Sequence, residues 1–221
     1  MKKLIFIVFA IISFGYSESD ELLTAQYPDK IIYNGTEYSL NTNPLEPYFE
    51  KYPEKRPQWN STALYRGYIG HFEITQNQLF VTDITIPRLY TDSNGETKIK
   101  SISIYKRIFP DKDKVKIDWY SGILIIPYGK LKEYVHSGYA SVYSNYFLLE
   151  IKNGDFRKEK NYTHKQFLEF KKRQFEEFKK TDAYKKEFEE IQKNYPESHK
   201  EFIENFLKDY IINYTSKFLI E

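Results

Sequence analysis

The chain has 221 residues, 41% of them hydrophobic, which is enough to bury a sizeable core in one domain, with or without an appendage. Its 33 basic and 31 acidic residues nearly cancel, and setting Lys2 and Lys3 aside brings both counts to 31. That leaves no global field to steer nucleic acid or anionic lipid and argues against nucleic acid as a partner. Cysteine is absent, which excludes disulfides and a lipid carried on an N-terminal cysteine.

Met1, Lys2 and Lys3 form a short basic start, residues 4–14 are an apolar run, and Gly15, Ser17 and Ser19 are small residues suited to cleavage. This is the pattern of a secretory signal peptide over 1–19, cut after Ser17 or Ser19. The run is shorter than the roughly 20 residues of a membrane-spanning helix, and no second long apolar run follows. The expectation is an exported bacterial protein, periplasmic or secreted, with no transmembrane segment once the leader is removed.

Residues 20–160 read as a β-rich domain. Residues 30–33, Asn34-Gly35 and residues 36–40 form a first hairpin pattern, because Asn-Gly tolerates the positive φ of a two-residue turn. Residues 43–59 hold four of the nine prolines and predict an irregular, extended segment, tied over a sheet edge by Tyr48, Phe49 and Trp59. A second hairpin is predicted over 63–74 and 79–86 with its turn at Asn77, and Gly67 and Gly70 in its first strand suggest a bulge or a close approach of another segment. After Asn94-Gly95, the spacing of Ile99, Ile102 and Tyr105 favours a short helix over 99–109.

Residues 115–154 are the centre of this domain. Val115, Ile117 and Trp119 alternate with polar residues as in a strand, 123–126 reads as a buried strand ended by Pro127, and 146–151 as a strand closed by Asn153-Gly154. From 161 to 221 the period becomes helical. Thr163 with Gln166 is a capping box ahead of a helix whose apolar side is expected to be Phe167, Leu168, Phe170, Phe175 and Phe178. Tyr184, Phe188, Ile191 and Tyr195 mark a second helix that stops before Pro196, and Ser198 with Glu201 marks a third. The fold class is therefore α+β: an antiparallel, hairpin-rich sheet domain followed by a C-terminal helical segment packed on or beside it.

The 21 Tyr and 17 Phe accompany abundant Lys, Asn and Ile, the bias of an AT-rich genome, so most rings are expected in cores. No G-x-S-x-G elbow, P-loop or H-E-x-x-H pattern is present, and His71, His136, His164 and His199 are too scattered in sequence for a metal site. Neither a metal nor a cofactor is implied. One aromatic patch has chemical character: Tyr134, His136, Tyr139 and Tyr143, joined by Tyr128, Lys130, Asp118, Arg66 and His71. Histidine can serve as a general base and arginine can hold an anion, so these nine residues are a candidate ligand-binding site, with a satisfied structural network as the competing reading.

Residues 61–74 (STALYRGYIGHFEI) and 119–154 (WYSGILIIPYGKLKEYVHSGYASVYSNYFLLEIKNG), followed by the charged helical tail, resemble a group of bacterial hypothetical proteins. The resemblance implies a shared domain over most of the mature chain and implies no activity. Together these features predict a non-enzymatic binding or interaction protein of the cell envelope, with another envelope or secreted protein as its partner. The alternative is a periplasmic hydrolase or carbohydrate-binding module acting through the patch around His136.

Overall fold

A computed structural model describes residues 24–58 and 61–221. The leader expected over 1–19 and the anchoring residue Trp59 lie outside the described residues. The fold is α+β, with a nine-stranded sheet followed by helices, and no helix of the described residues is long and apolar enough to cross a membrane.

The strands are β1 (Asp29–Tyr33), β2 (Thr36–Leu40), β3 (Ile69–Thr75), β4 (Gln78–Thr91), β5 (Thr97–Ser103), β6 (Val115–Lys116), β7 (Gly122–Glu133), β8 (Val142–Lys152) and β9 (Asp155–Thr163). Their order is β2-β1-β3-β4-β9-β8-β7, with β5 and β6 both paired to β4. The sheet is mixed, because β1 runs parallel to β3 while the other pairings are antiparallel. The two ends of this path meet: Asn41 N donates to Ile125 O at 2.8 Å, and Ile125 N to Thr42 Oγ1 at 3.1 Å. The sheet thus curls on itself around an apolar interior containing Ile31, Phe72, Val81, Leu124 and Ile151.

Turn chemistry positions several of these strands. Asn34 and Gly35 connect β1 to β2, and Asn153 and Gly154 connect β8 to β9, all four with positive φ. Gln76 and Asn77 make the equivalent turn between β3 and β4. Asn94-Gly95 belongs to the turn from β4 to β5, so the helix expected over 99–109 is corrected. Residues 97–103 pair with β4, where their β-branched Thr97, Ile99 and Ile102 suit a pleated ribbon, and only α2 (Tyr105–Ile108) is helical.

Four further expectations change. The strand predicted from 63 begins only at Ile69, since 62–64 form a 3₁₀ turn and Gly67 has φ +81; a Cβ there would meet Pro57 O and Gln58 O at 2.8 Å. Pro127 does not end its strand. The N–H and C=O of Ile125 face Thr42 and Asn41, so the nitrogen two residues on points the same way, off the β8 ladder, and proline costs no pairing. The strand expected through Trp119 is limited to β6, and the proline-rich segment contains the short helix α1 (Glu46–Lys51), which buries Tyr48 and Phe49 as the packing reading requires.

The helical tail consists of α3 (His164–Phe178), α4 (Asp182–Asn194), α5 (Lys200–Asp209) and α6 (Ile211–Tyr214). Thr163 and Gln166 form both halves of the capping box. The box expected at Ser198 is replaced by His199 at the N-cap, without a side-chain cap bond. Phe167, Phe170, Phe175 and Phe178 bury one side of α3 in a second core, against Ile123, Tyr146 and Leu148 and the later helices, while Leu168 is exposed. Each buried ring contributes roughly 2–3 kcal/mol by area. Gln174, fully buried in α3, fastens the C-terminus by donating to Thr215 Oγ1 (3.0 Å) and Lys217 O (2.8 Å) and accepting from Leu219 N (2.9 Å).

Gly154 joins three segments: it donates to Tyr120 O at 3.0 Å and accepts from Leu79 N at 2.8 Å. A Cβ there would lie 2.6 Å from Ile117 O, whereas Gly95, also at positive φ, has open space. Gly95→Ala is expected to cost about 1 kcal/mol, the left-handed backbone term alone, and Gly154→Ala about 1–3 kcal/mol more. Urea unfolding of the two variants measures the difference, and equal losses would show that the close approach is not sustained in solution.

Candidate functional site

The polar centre of the molecule forms around Asp29, the first residue of β1 and fully buried. Its carboxylate accepts from Arg66 Nη2 (3.0 Å), Gly70 N (2.8 Å) and Asn43 Nδ2 (3.2 Å). Arg66, 7% exposed, also donates to Tyr139 Oη (2.5 Å) and Tyr27 O (3.0 Å). Beside it, Tyr68 Oη donates to Glu46 Oε1 at 2.7 Å, and Arg56 pairs with both oxygens of Glu46. Burial pushes the Asp29 carboxyl above its ordinary value, with Arg66, Gly70 and Asn43 pulling it back down. Burial also pushes the Tyr139 hydroxyl up to about 12, so it is a neutral donor and acceptor near neutral pH.

This network organises backbone. Tyr139 lies in the β7–β8 loop, where Gln26 N donates to Gly138 O (2.9 Å) and Gly138 N to Thr24 O (3.2 Å). Holding Arg66 on Asp29 therefore fixes residues 24–27, the loop over 134–141 and the start of β3 together.

The nine residues picked out by sequence do not form one site. Arg66 and Tyr139 meet in the buried network, as described. Tyr134 and His136 bond to each other, Oη to Nδ1 at 2.8 Å, on an exposed part of the loop. Tyr128 stacks on Phe147 at 4.3 Å and donates to Asn161, while Lys130 is exposed at the bulge that follows. Tyr143 packs against the helical core, and His71 Nε2 lies 3.1 Å from Thr85 Oγ1. Asp118 is exposed in a different place, at the edge of a cleft. Among the described residues no cluster of three or more His, Asp or Glu could hold a metal ion.

That cleft, about 410 Å³, lies between α1 and β6 and has Tyr48, Tyr52, Phe109 and Trp119 in its walls. Tyr48 is 4.9 Å from Tyr52, 4.9 Å from Trp119 and 5.1 Å from Phe109, centroid to centroid. Trp119 Nε1 donates to Pro44 O at 3.1 Å, which fixes the indole. Sequence reasoning missed the cleft because its walls come from three segments some 60 and 10 residues apart; the aromatic density of 48–52 and 119–120 was the available signal.

A third feature is the ribbon of β4 and β5. Pairing with β3 ends at Thr85, and residues 86–91 continue, among the described residues, with β5 alone for about 20 Å. Leu89 and Ile99 are directly opposed there and are 66% and 68% exposed. Arg88, Tyr90, Lys98 and Lys100 occupy the alternate register positions, with Lys98 held by Asp92 and Glu96 in the turn and Lys100 over the Tyr90 ring.

In comparisons with protein-family models, with curated proteins and with solved structures, nothing matches this chain. The functional reading accordingly rests on these surfaces.

A double-mutant cycle tests the buried network. Asp29→Asn or Arg66→Met alone is expected to cost about 3–5 kcal/mol, because each leaves the other charge buried without its partner. The double variant should lose about 1–3 kcal/mol less than the sum of the singles. Additive losses in denaturant unfolding would show that the two residues do not act as a unit.

Proposed function

We propose that this chain is an exported, non-enzymatic binding protein of a bacterial envelope, periplasmic or secreted, that holds another envelope or secreted protein through the β4–β5 ribbon. The observation that carries this reading is the exposed Leu89–Ile99 pair on a two-stranded extension whose outer edge is unpaired among the described residues. An isolated ribbon is marginal in water, and large apolar side chains left in solvent on it are stabilised when a partner covers them. The occupant that fits is an extended segment of the partner, added to the edge of β5 and carrying acidic residues. Arg88 and Lys100, opposed across the ribbon, repel a second copy of it and attract such a segment, so the same charges discourage self-pairing and select the partner.

Export is supported by the basic, apolar and small-residue pattern over 1–19. The alternative, a hydrolase or carbohydrate-binding module at His136, has less support. The Arg66 expected to assist it is engaged with buried Asp29, and His136 is engaged with Tyr134 on an exposed loop.

The test uses the mature chain immobilised and exposed to envelope and secreted extract of its host. Wild type is expected to retain one protein at fixed stoichiometry. A variant with Leu89→Ser and Ile99→Ser, which changes only exposed side chains and leaves thermal unfolding in place, should retain it at least about tenfold less. Equal retention by the variant would remove the ribbon from the function, and retention of glycan in place of protein would favour the alternative.

A further inference from the structure

We propose that the cleft between α1 and β6 is a binding site for a small aromatic anion, a flat apolar ring carrying one carboxylate or phosphate. Its volume of about 410 Å³ falls in the range of small-molecule sites, and its walls are the rings of Tyr48, Tyr52, Phe109 and Trp119. The sign of the ligand's charge follows from the lining. Lys51 and Lys112 are exposed and form no ion pair among the described residues, whereas Lys116 is neutralised by Asp155 at 2.6 Å. Asp118 is the one carboxylate of the lining among the described residues, so two ammonium groups without acidic partners, that of Lys51 lying 5.2 Å over the Tyr52 ring, face one acid and a cation is disfavoured.

The ring's polarity follows from hydrogen bonds already made. Tyr48 Oη accepts from Lys55 Nζ at 3.0 Å, and Trp119 Nε1 donates to Pro44 O at 3.1 Å. The indole N–H is thus committed within the protein, and Tyr48 Oη, already an acceptor, has only its own hydrogen left to offer. A ligand bearing many hydroxyls, such as a sugar, would surrender hydrogen bonds to water and find few replacements, while a flat apolar ring loses nothing. An anionic group at one end of that ring would reach Lys51 and Lys112, both part of the lining. These lysines can follow the ligand, since each carries a mobile stem.

Calorimetric titration of the full mature chain with 1-naphthoate, 1-naphthalenemethanol, 1-naphthylmethylammonium and a glucuronic acid disaccharide tests this directly. Naphthoate is expected to bind at one site with a dissociation constant of about 1 mM or tighter, and the neutral and cationic analogues about tenfold more weakly or worse. Raising salt should weaken naphthoate and leave the neutral analogue unchanged. The double variant Lys51→Glu with Lys112→Glu alters two exposed side chains, so folding is kept and naphthoate affinity should fall about tenfold or more. Tyr52→Ala, which opens one wall, should weaken all three naphthalenes alike. The proposal is overturned if naphthoate fails to bind, if the charge of the analogue makes no difference, if the lysine variant binds as wild type, or if the disaccharide binds more tightly.

Discussion

Asp29 is a carboxylate with no exposure to solvent, and much of the polypeptide around it is arranged to hold it there. A charge so placed is tolerable only with an opposite charge and hydrogen bonds to its remaining lone pairs, and Arg66, Gly70 and Asn43 supply them from three different segments. Arg66 in turn reaches Tyr139 and the carbonyl of Tyr27. The parallel pairing of β1 with β3, unusual in a sheet otherwise antiparallel, is stitched at its start by the Gly70 N–H on Asp29. Such a pair adds little net stability compared with apolar packing, but it tolerates few alternative arrangements, and that is how it fixes the register of these segments.

From this fixed centre the rest of the molecule follows as two cores on one sheet. The inner core fills the curled sheet; the outer one lies between β7, β8 and the aromatic side of α3. What these cores do not use is what remains for recognition. Among the described residues, the ribbon of β4 and β5 runs past the end of β3 with no further strand beside it, and the rings of α1 and Trp119 line a cleft. The ribbon is a by-product of local lengths, a strand of 14 residues beside one of seven.

The features legible in sequence were those with local causes. Asn-Gly pairs place turns because positive φ is a property of those residues themselves, and Thr163 with Gln166 caps a helix because the bonds span only three positions. The α+β class followed from the switch of period near 161. Residues 97–103 misled because isoleucines at 99 and 102 suit either period, and the pairing that decides lies in β4. Pro127 misled because only the position of β7 in the sheet reveals that its nitrogen is off the ladder. The candidate site misled more deeply: Arg66 and Tyr139 do meet, 73 residues apart, but their common partner Asp29 looked like an ordinary polar residue before a strand, and the aromatic cleft has no contiguous signature.

The most direct test of the account is amide hydrogen exchange on the Arg66→Met variant compared with wild type. If the buried pair is the constraint on which the surrounding segments depend, protection falls selectively at Gln26, Gly70 and Gly138, while amides in α3 and in the β8–β9 ladder keep theirs. Uniform loss across the molecule, or unchanged protection at those three amides, would contradict it.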